Sequence, residues 1–205
     1  MKVLLLIVLF KYSIGQQILC DTLRGNYVGP MLTFGRPMED GDTVIINGTV
    51  TPGSAHLIIE LHIPTGPDPT YRSFHMHANP NWRNIIVYDT YEKGRWTDRG
   101  LIGPSPLVMG QTFSLSITKL LTSYSVKSSG SEIFNFPRRH PNEWAVTGLT
   151  ITDYNSVTTS SITMKCKRPI KKPGTDHGHG HGHGHGGHGG HGHGKFSSSS
   201  EECRD

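Results

Sequence analysis

The segment Arg72-Ser73-Phe74-His75-Met76-His77-Ala78-Asn79 sets two kinds of side chain on alternate positions. Read as a strand of period two, it puts Phe74, Met76 and Ala78 on one face and His75, His77 and Asn79 on the other. A solvated face more often carries Lys, Glu or Thr. A row of His and Asn offers short, stiff donors and acceptors, the chemistry that recognises a ligand rich in hydroxyls. The same residues also admit a plainer reading, a self-satisfied polar ladder on an exposed sheet face. His75-x-His77, with His62, has the residue types for zinc, but no spacing supplies a convincing third ligand.

A second group lies near the C-terminus. Residues 177–194 contain only His and Gly, eight of the first and ten of the second. The histidines are His177, His179, His181, His183, His185, His188, His191 and His193. Neutral imidazoles bind Zn, Cu or Ni, and Gly lets several rings converge on one ion. Protonation in mild acid weakens that binding and adds up to eight charges. The tract is expected to hold divalent metal and respond to pH; the plainer reading is a solvating spacer. No cofactor is required.

The chain shows no Gly-x-Ser-x-Gly, no phosphate-cradling Gly loop and no closely spaced carboxylate pair. A non-enzymatic protein is expected. Arg138-Arg139-His140 is expected to be a solvated loop.

The elements that must position these residues are short and β-like. Candidate strands are Thr43 to Val50, His56 to Ile63, Arg72 to Asn79, Ile85 to Tyr91, Thr112 to Thr118, Ser123 to Ser128, Glu132 to Phe136, Ala145 to Thr152 and Ser160 to Cys166. Gly, Pro, Asn or Asp separates most of them, and no segment holds a helical period over three turns. The pattern predicts an all-β antiparallel sandwich or barrel.

Residues in this stretch resemble the galectins, the β-galactoside-binding lectins. His77-Ala78-Asn79-Pro80-Asn81 is similar to their His-x-Asn-x-Arg, with Asn81 at the Arg position. Ile86-Val87-Tyr88-Asp89 follows, with Asp89 where Asn is usual, and Trp96 stands at the family spacing of seven residues from it. The family's Glu position is Arg99. Met38 to Gly48, Gly110-Gln111-Thr112-Phe113, Phe134-Asn135-Phe136-Pro137-Arg138-Arg139 and Leu149-Thr150-Ile151-Thr152-Asp153 resemble further family segments in the same order.

The resemblance implies a jelly-roll sandwich with sugar bound on the concave face. It implies that Trp96 stacks on a galactose ring, that His77 and Asn79 fix its hydroxyls, and that Asp89 accepts from it. With Asn81 and Arg99 the family's Arg–Glu clamp is lost as a pair, so weak or altered galactoside specificity is expected. The implied partners are galactose-containing glycans on glycoproteins or glycolipids. No nucleic-acid partner is expected, and a homodimer is one route to cross-linking. The alternative, from a different class, is an extracellular structural or metal-sequestering protein whose sandwich no longer binds sugar.

The chain ends set the context. Val3 to Phe10 is a run of eight apolar residues behind Lys2, too short for a membrane span and shaped like a signal peptide. The expected domains are a signal peptide over 1–16, a carbohydrate-recognition domain over 17–168 and a disordered His/Gly/Ser-rich tail over 169–205. Removal of Lys2 and Lys11 lowers the formal charge from +4 to +2. An exported chain permits disulfides. Cys20 and Cys166 flank the β region and are a candidate pair, which sequence alone does not fix; Cys203 is left over for intermolecular pairing or a free thiol. Asn47-Gly48-Thr49 fits the N-glycosylation pattern, inside a predicted strand. The 205 residues carry 25 Gly and 13 His. With the tract set aside, the remainder has an ordinary globular composition, which excludes a collagen, a coiled coil and a wholly disordered chain.

Overall fold

The computed structural model describes residues 16–52, 56–64, 68–79, 85–97, 100–140, 145–153 and 157–168. The expected signal peptide, Asn81, Arg99, the His-Gly tract and Cys203 lie outside these residues.

Two sheets pack face to face. The strands of the first are β1 (Gln17–Ile18), β3 (Leu32–Phe34), β13 (Gly148–Asp153), β5 (Leu57–His62), β6 (Arg72–Asn79), β7 (Ile85–Glu92) and β8 (Arg95–Trp96), in that spatial order. β9 (Leu101–Pro104) also pairs with β7. The second sheet runs β12 (Ser131–Pro137), β11 (Ser123–Ser128), β10 (Thr112–Lys119), β4 (Thr43–Val50), β14 (Val157–Lys165) and β2 (Thr22–Arg24). All pairings are antiparallel except β1 with β3.

The alternation predicted from sequence is what builds the core. In β4, Val44, Ile46 and Val50 are buried; in the neighbouring β10 of the same sheet, Phe113, Leu115 and Ile117 are buried beside them. Phe74, Met76 and Ala78 of β6 are fully buried from the other side. Burying one such side chain contributes on the order of 1.5–3 kcal/mol. Aromatic rings join the layers: Phe74 meets Tyr124 at 5.4 Å and Phe136 at 5.8 Å, and Tyr88 stacks on Phe134 at 4.1 Å. Gly48 is needed where β4 and β14 close up, since a Cβ there would lie 2.5 Å from the Thr158 carbonyl.

The candidate cysteine pair is formed. Cys20 and Cys166 make a disulfide with Cα atoms 5.3 Å apart, closing a loop of 146 residues. On the chain-entropy model a loop that long contributes about 5 kcal/mol. Next to it, the buried Asp42 carboxylate accepts from Arg36 Nη2, the Glu39 amide and the Lys167 amide. Burial raises the Asp42 pKa, but these donors and the Arg36 charge outweigh it and hold it below the ordinary value.

Arg138 corrects an expectation. It is buried, not solvated. Its Nη1 donates to the carbonyls of Leu120 and Leu121 at 3.0 and 2.9 Å, and the guanidinium lies over the Tyr124 ring. The turn between β10 and β11 leaves those carbonyls needing donors, and a guanidinium can serve two at once.

Candidate carbohydrate-binding site

The strand β6 has the bounds read from sequence, Arg72–Asn79. A register shift between Arg72 and His75 breaks its alternation at the start. Ser73 is turned into the core, where its Oγ lies 2.7 Å from the Tyr124 hydroxyl. Arg72 is thereby brought to the outer face beside His75, and its Nε donates to Glu60 Oε2 at 2.9 Å.

Four neighbouring strands place one residue each in a row across that face. Thr150 of β13 is in register with Glu60 of β5, Glu60 with His75 of β6, and His75 with Asp89 of β7. Glu60 is the acceptor at the centre. Its Oε1 takes a hydrogen bond from His75 Nδ1 at 2.9 Å, and its Oε2 takes those of Arg72 and Thr150. His62 Nε2 in turn lies 2.7 Å from the Thr150 hydroxyl. Burial raises the Glu60 carboxyl, yet the His75 hydrogen bond and the charges of Arg72, His75 and His62 hold its pKa below the ordinary value. Burial pushes the His62 imidazole down, against the pull of Glu60.

Trp96 reaches the same face through a hairpin. β7 and β8 are joined by Lys93-Gly94, both with positive φ, 52° and 78°. A two-residue turn of this kind matches the strand twist and favours Gly second. It sets Tyr91 opposite Trp96 and Glu92 opposite Arg95. Asp68 Oδ2 accepts from the Lys93 amide at 2.7 Å, and Asp89 Oδ1 accepts from the Thr90 amide and the Thr97 hydroxyl, pinning both ends of the hairpin. The indole remains 42% exposed. Its ring lies 4.3 Å from His75 and 4.9 Å from Tyr91. A half-exposed aromatic face beside polar side chains suits a ligand with one apolar and one hydroxyl-bearing face.

His77 is half-buried, one pair along β6 from His75, and in register with Val87. Its Nε2 lies 2.6 Å from His56 Nδ1. Burial, then the neighbouring His56 and His75, lower its pKa below the ordinary value. Asn79 closes the strand opposite Ile85.

The structure therefore brings His77, Asp89 and Trp96 to one face, with Asn79 on the same strand. Asp89 is buried with one oxygen engaged in the hairpin. His75 is buried beneath Trp96. Sequence reasoning missed Glu60, Arg72, Thr150 and His56. An apolar-polar alternation over β5 could have flagged Glu60, but the bulge that turns Arg72 outward leaves no mark in a period-two pattern. Among the described residues, no group of three or more His, Cys, Asp or Glu has the geometry to hold a metal ion. Asn47 lies on β4, and its Nδ2 donates to Ser161 Oγ at 3.0 Å.

Comparison with known proteins gives the class. The family model described as galactoside-binding lectin matches residues 31–162, and the chain belongs to that family. Its members are non-catalytic lectins. Over 158 residues the chain is 24% identical to a putative uncharacterized protein of Caenorhabditis elegans, covering 75% of this chain and 13% of that protein. Over 111 residues it is 30% identical to Galectin-4 of Sus scrofa, covering 53% of this chain and 33% of the relative. The chain thus spans a third or less of the length of these curated relatives. The crystal structure of Caenorhabditis elegans galectin LEC-6 superposes with a TM-score of 0.61 at 14% identity, covering 70% of this chain and 95% of that one. That likeness is one of fold.

Proposed function

We propose that this chain is a secreted lectin that binds galactose-containing glycans on the outer face of β5–β8, with weak or altered specificity. The observation that carries the reading is the exposed Trp96 indole held 4.3 Å from His75, beside His77 and Asp89. Stacking on such a ring is worth about 1–3 kcal/mol for a base and serves as an upper guide for a sugar. His77 and Asn79 hold the ring hydroxyls, and Asp89 offers its remaining oxygen as an acceptor. Asn81 and Arg99 replace the family's charged clamp, which is the reason for altered specificity. The His-Gly tract, His177 to His193, binds a divalent metal such as Zn, Cu or Ni and releases it as the imidazoles protonate.

A glycan array probed with the full chain, followed by titration with lactose, tests the lectin reading. Galactoside binding that falls on His77→Ala and Trp96→Ala is expected. The contact between His56 and His77 favours a second reading, in which the sandwich no longer takes sugar and the protein serves as an extracellular structural or metal-sequestering one. Absent glycan binding in a folded chain, with metal uptake lost when residues 177–194 are deleted, selects that reading.

A further inference from the structure

We infer that Arg72 is a specificity-determining contact of this site. Its two Nη groups donate to a pair of neutral acceptor oxygens on the saccharide unit next to the one stacked on Trp96. The inference rests on the galactoside reading and extends it along β6.

The guanidinium is placed for this by the bulge in β6. It lies 4.7 Å over the Tyr91 ring and 6.0 Å from the Trp96 ring. Only Nε is engaged with a carboxylate, at Glu60 Oε2. Neither Nη donates a hydrogen bond to a described residue, and the side chain is 29% exposed. A guanidinium fixed at Nε keeps two parallel N–H donors in one plane, a geometry suited to two adjacent oxygens. Glu60 is itself fixed by His75 and Thr150, so the fork is aimed by a buried carboxylate that does not touch the ligand. Glu60 is a positioning residue.

Length and charge define the ligand. His77 and Trp96 lie on either side of the buried His75, at 6.1 and 4.3 Å from its ring, and Tyr91 lies 4.9 Å beyond Trp96. From His77 to Arg72 the strand runs about 13 Å at roughly 3.3 Å per residue with one residue lost to the bulge. One hexose ring does not fill that length. Arg72 and Glu60 cancel in charge, and Asp89 lies in the adjacent register position. Its guanidinium and carboxylates leave the patch no positive excess, so vicinal hydroxyls suit it better than a sulfate or carboxylate.

The test is a titration of the full chain with methyl β-galactoside, lactose, a neutral trisaccharide extending lactose at its galactose end, and the sulfated form of that trisaccharide. Arg72→Met and Arg72→Lys are expected to lose clearly less on methyl β-galactoside than on the longer ligands. They are expected to lose about tenfold or more on a neutral ligand longer than one ring. Glu60→Gln, which also releases His75 beneath Trp96, is expected to weaken every ligand and the longer ones most, and unchanged thermal unfolding of Arg72→Lys keeps the result readable if Glu60→Gln folds poorly. Equal losses on every ligand, no loss on any, or an Arg72-dependent preference for the sulfated form each overturn the inference. Binding that depends on Trp96 but is indifferent to Arg72 overturns the subsite alone. Absence of any Trp96-dependent binding overturns the galactoside reading and the subsite together.

Discussion

The indole of Trp96 lies 4.3 Å, centroid to centroid, from the imidazole of His75, whose Nδ1 is bonded to the buried Glu60. The surface ring is therefore backed by a polar side chain that is fixed from below. Trp96→Ala removes little core, because the ring is half-exposed. It should leave the unfolding temperature nearly unchanged while reducing glycan affinity by roughly five- to 150-fold, the range of about 1–3 kcal/mol. Calorimetric unfolding alongside a lactose titration separates the two effects.

The hairpin that carries Trp96 depends on Gly94, whose φ is +78°. A side chain there meets open space but strains the backbone. Gly94→Val should destabilise by about 1 kcal/mol or more and weaken glycan binding with it. Denaturant unfolding and titration of the same sample check both. Retained affinity in a destabilised variant would show that the turn does not position the ring.

His77 Nε2 lies 2.6 Å from His56 Nδ1, and His56 is one of the causes of the lowered His77 pKa. In His56→Ala the His77 titration midpoint should move up towards 6.5, read by NMR of the ring protons. Freed of that contact, Nε2 is open to a sugar hydroxyl, so lactose affinity should rise. An unmoved midpoint contradicts the pairing.

Burial lowers the pKa of both His62 and His77. The unfolded chain then binds more protons than the folded one between the lowered values and about 6.5. Stability rises with pH across that window and is lost as pH falls through it. Glu60 and Asp42, held below their ordinary values, add a second loss at lower pH, as it falls from the ordinary carboxylate range through the folded values. Unfolding midpoints measured from about pH 7.5 down to about pH 2 should decline in two stages, with the first reduced in His62→Gln.

Much of the fold was legible because its cause is local. The alternation in β4, β6 and β11 follows from a strand with one buried face, and their bounds match the sequence reading. The short strands β1, β2, β3, β8 and β9 were not legible: two to four residues do not display a period, and tertiary pairing makes them strands. Within the site, His77 stood out by its place on an alternating strand, while Asp89 and Trp96 were marked only by the resemblance to the galectin pattern. Arg72 did not, because a bulge changes which face it takes. Glu60 did not, because its meaning comes from Arg72, His75 and Thr150 on other segments. Arg138 was misread for the same reason, since nothing in Arg138-Arg139-His140 tells that two carbonyls await one of the two arginines.

The most direct test of the lectin reading is a lactose titration of the native full chain against His77→Ala and Trp96→Ala, each shown folded by calorimetry. Saturable binding by the native chain that weakens at least tenfold in both variants is the expected result. Lactose binding of equal strength in all three proteins, or none in the native chain, contradicts the assignment of this face as the sugar site.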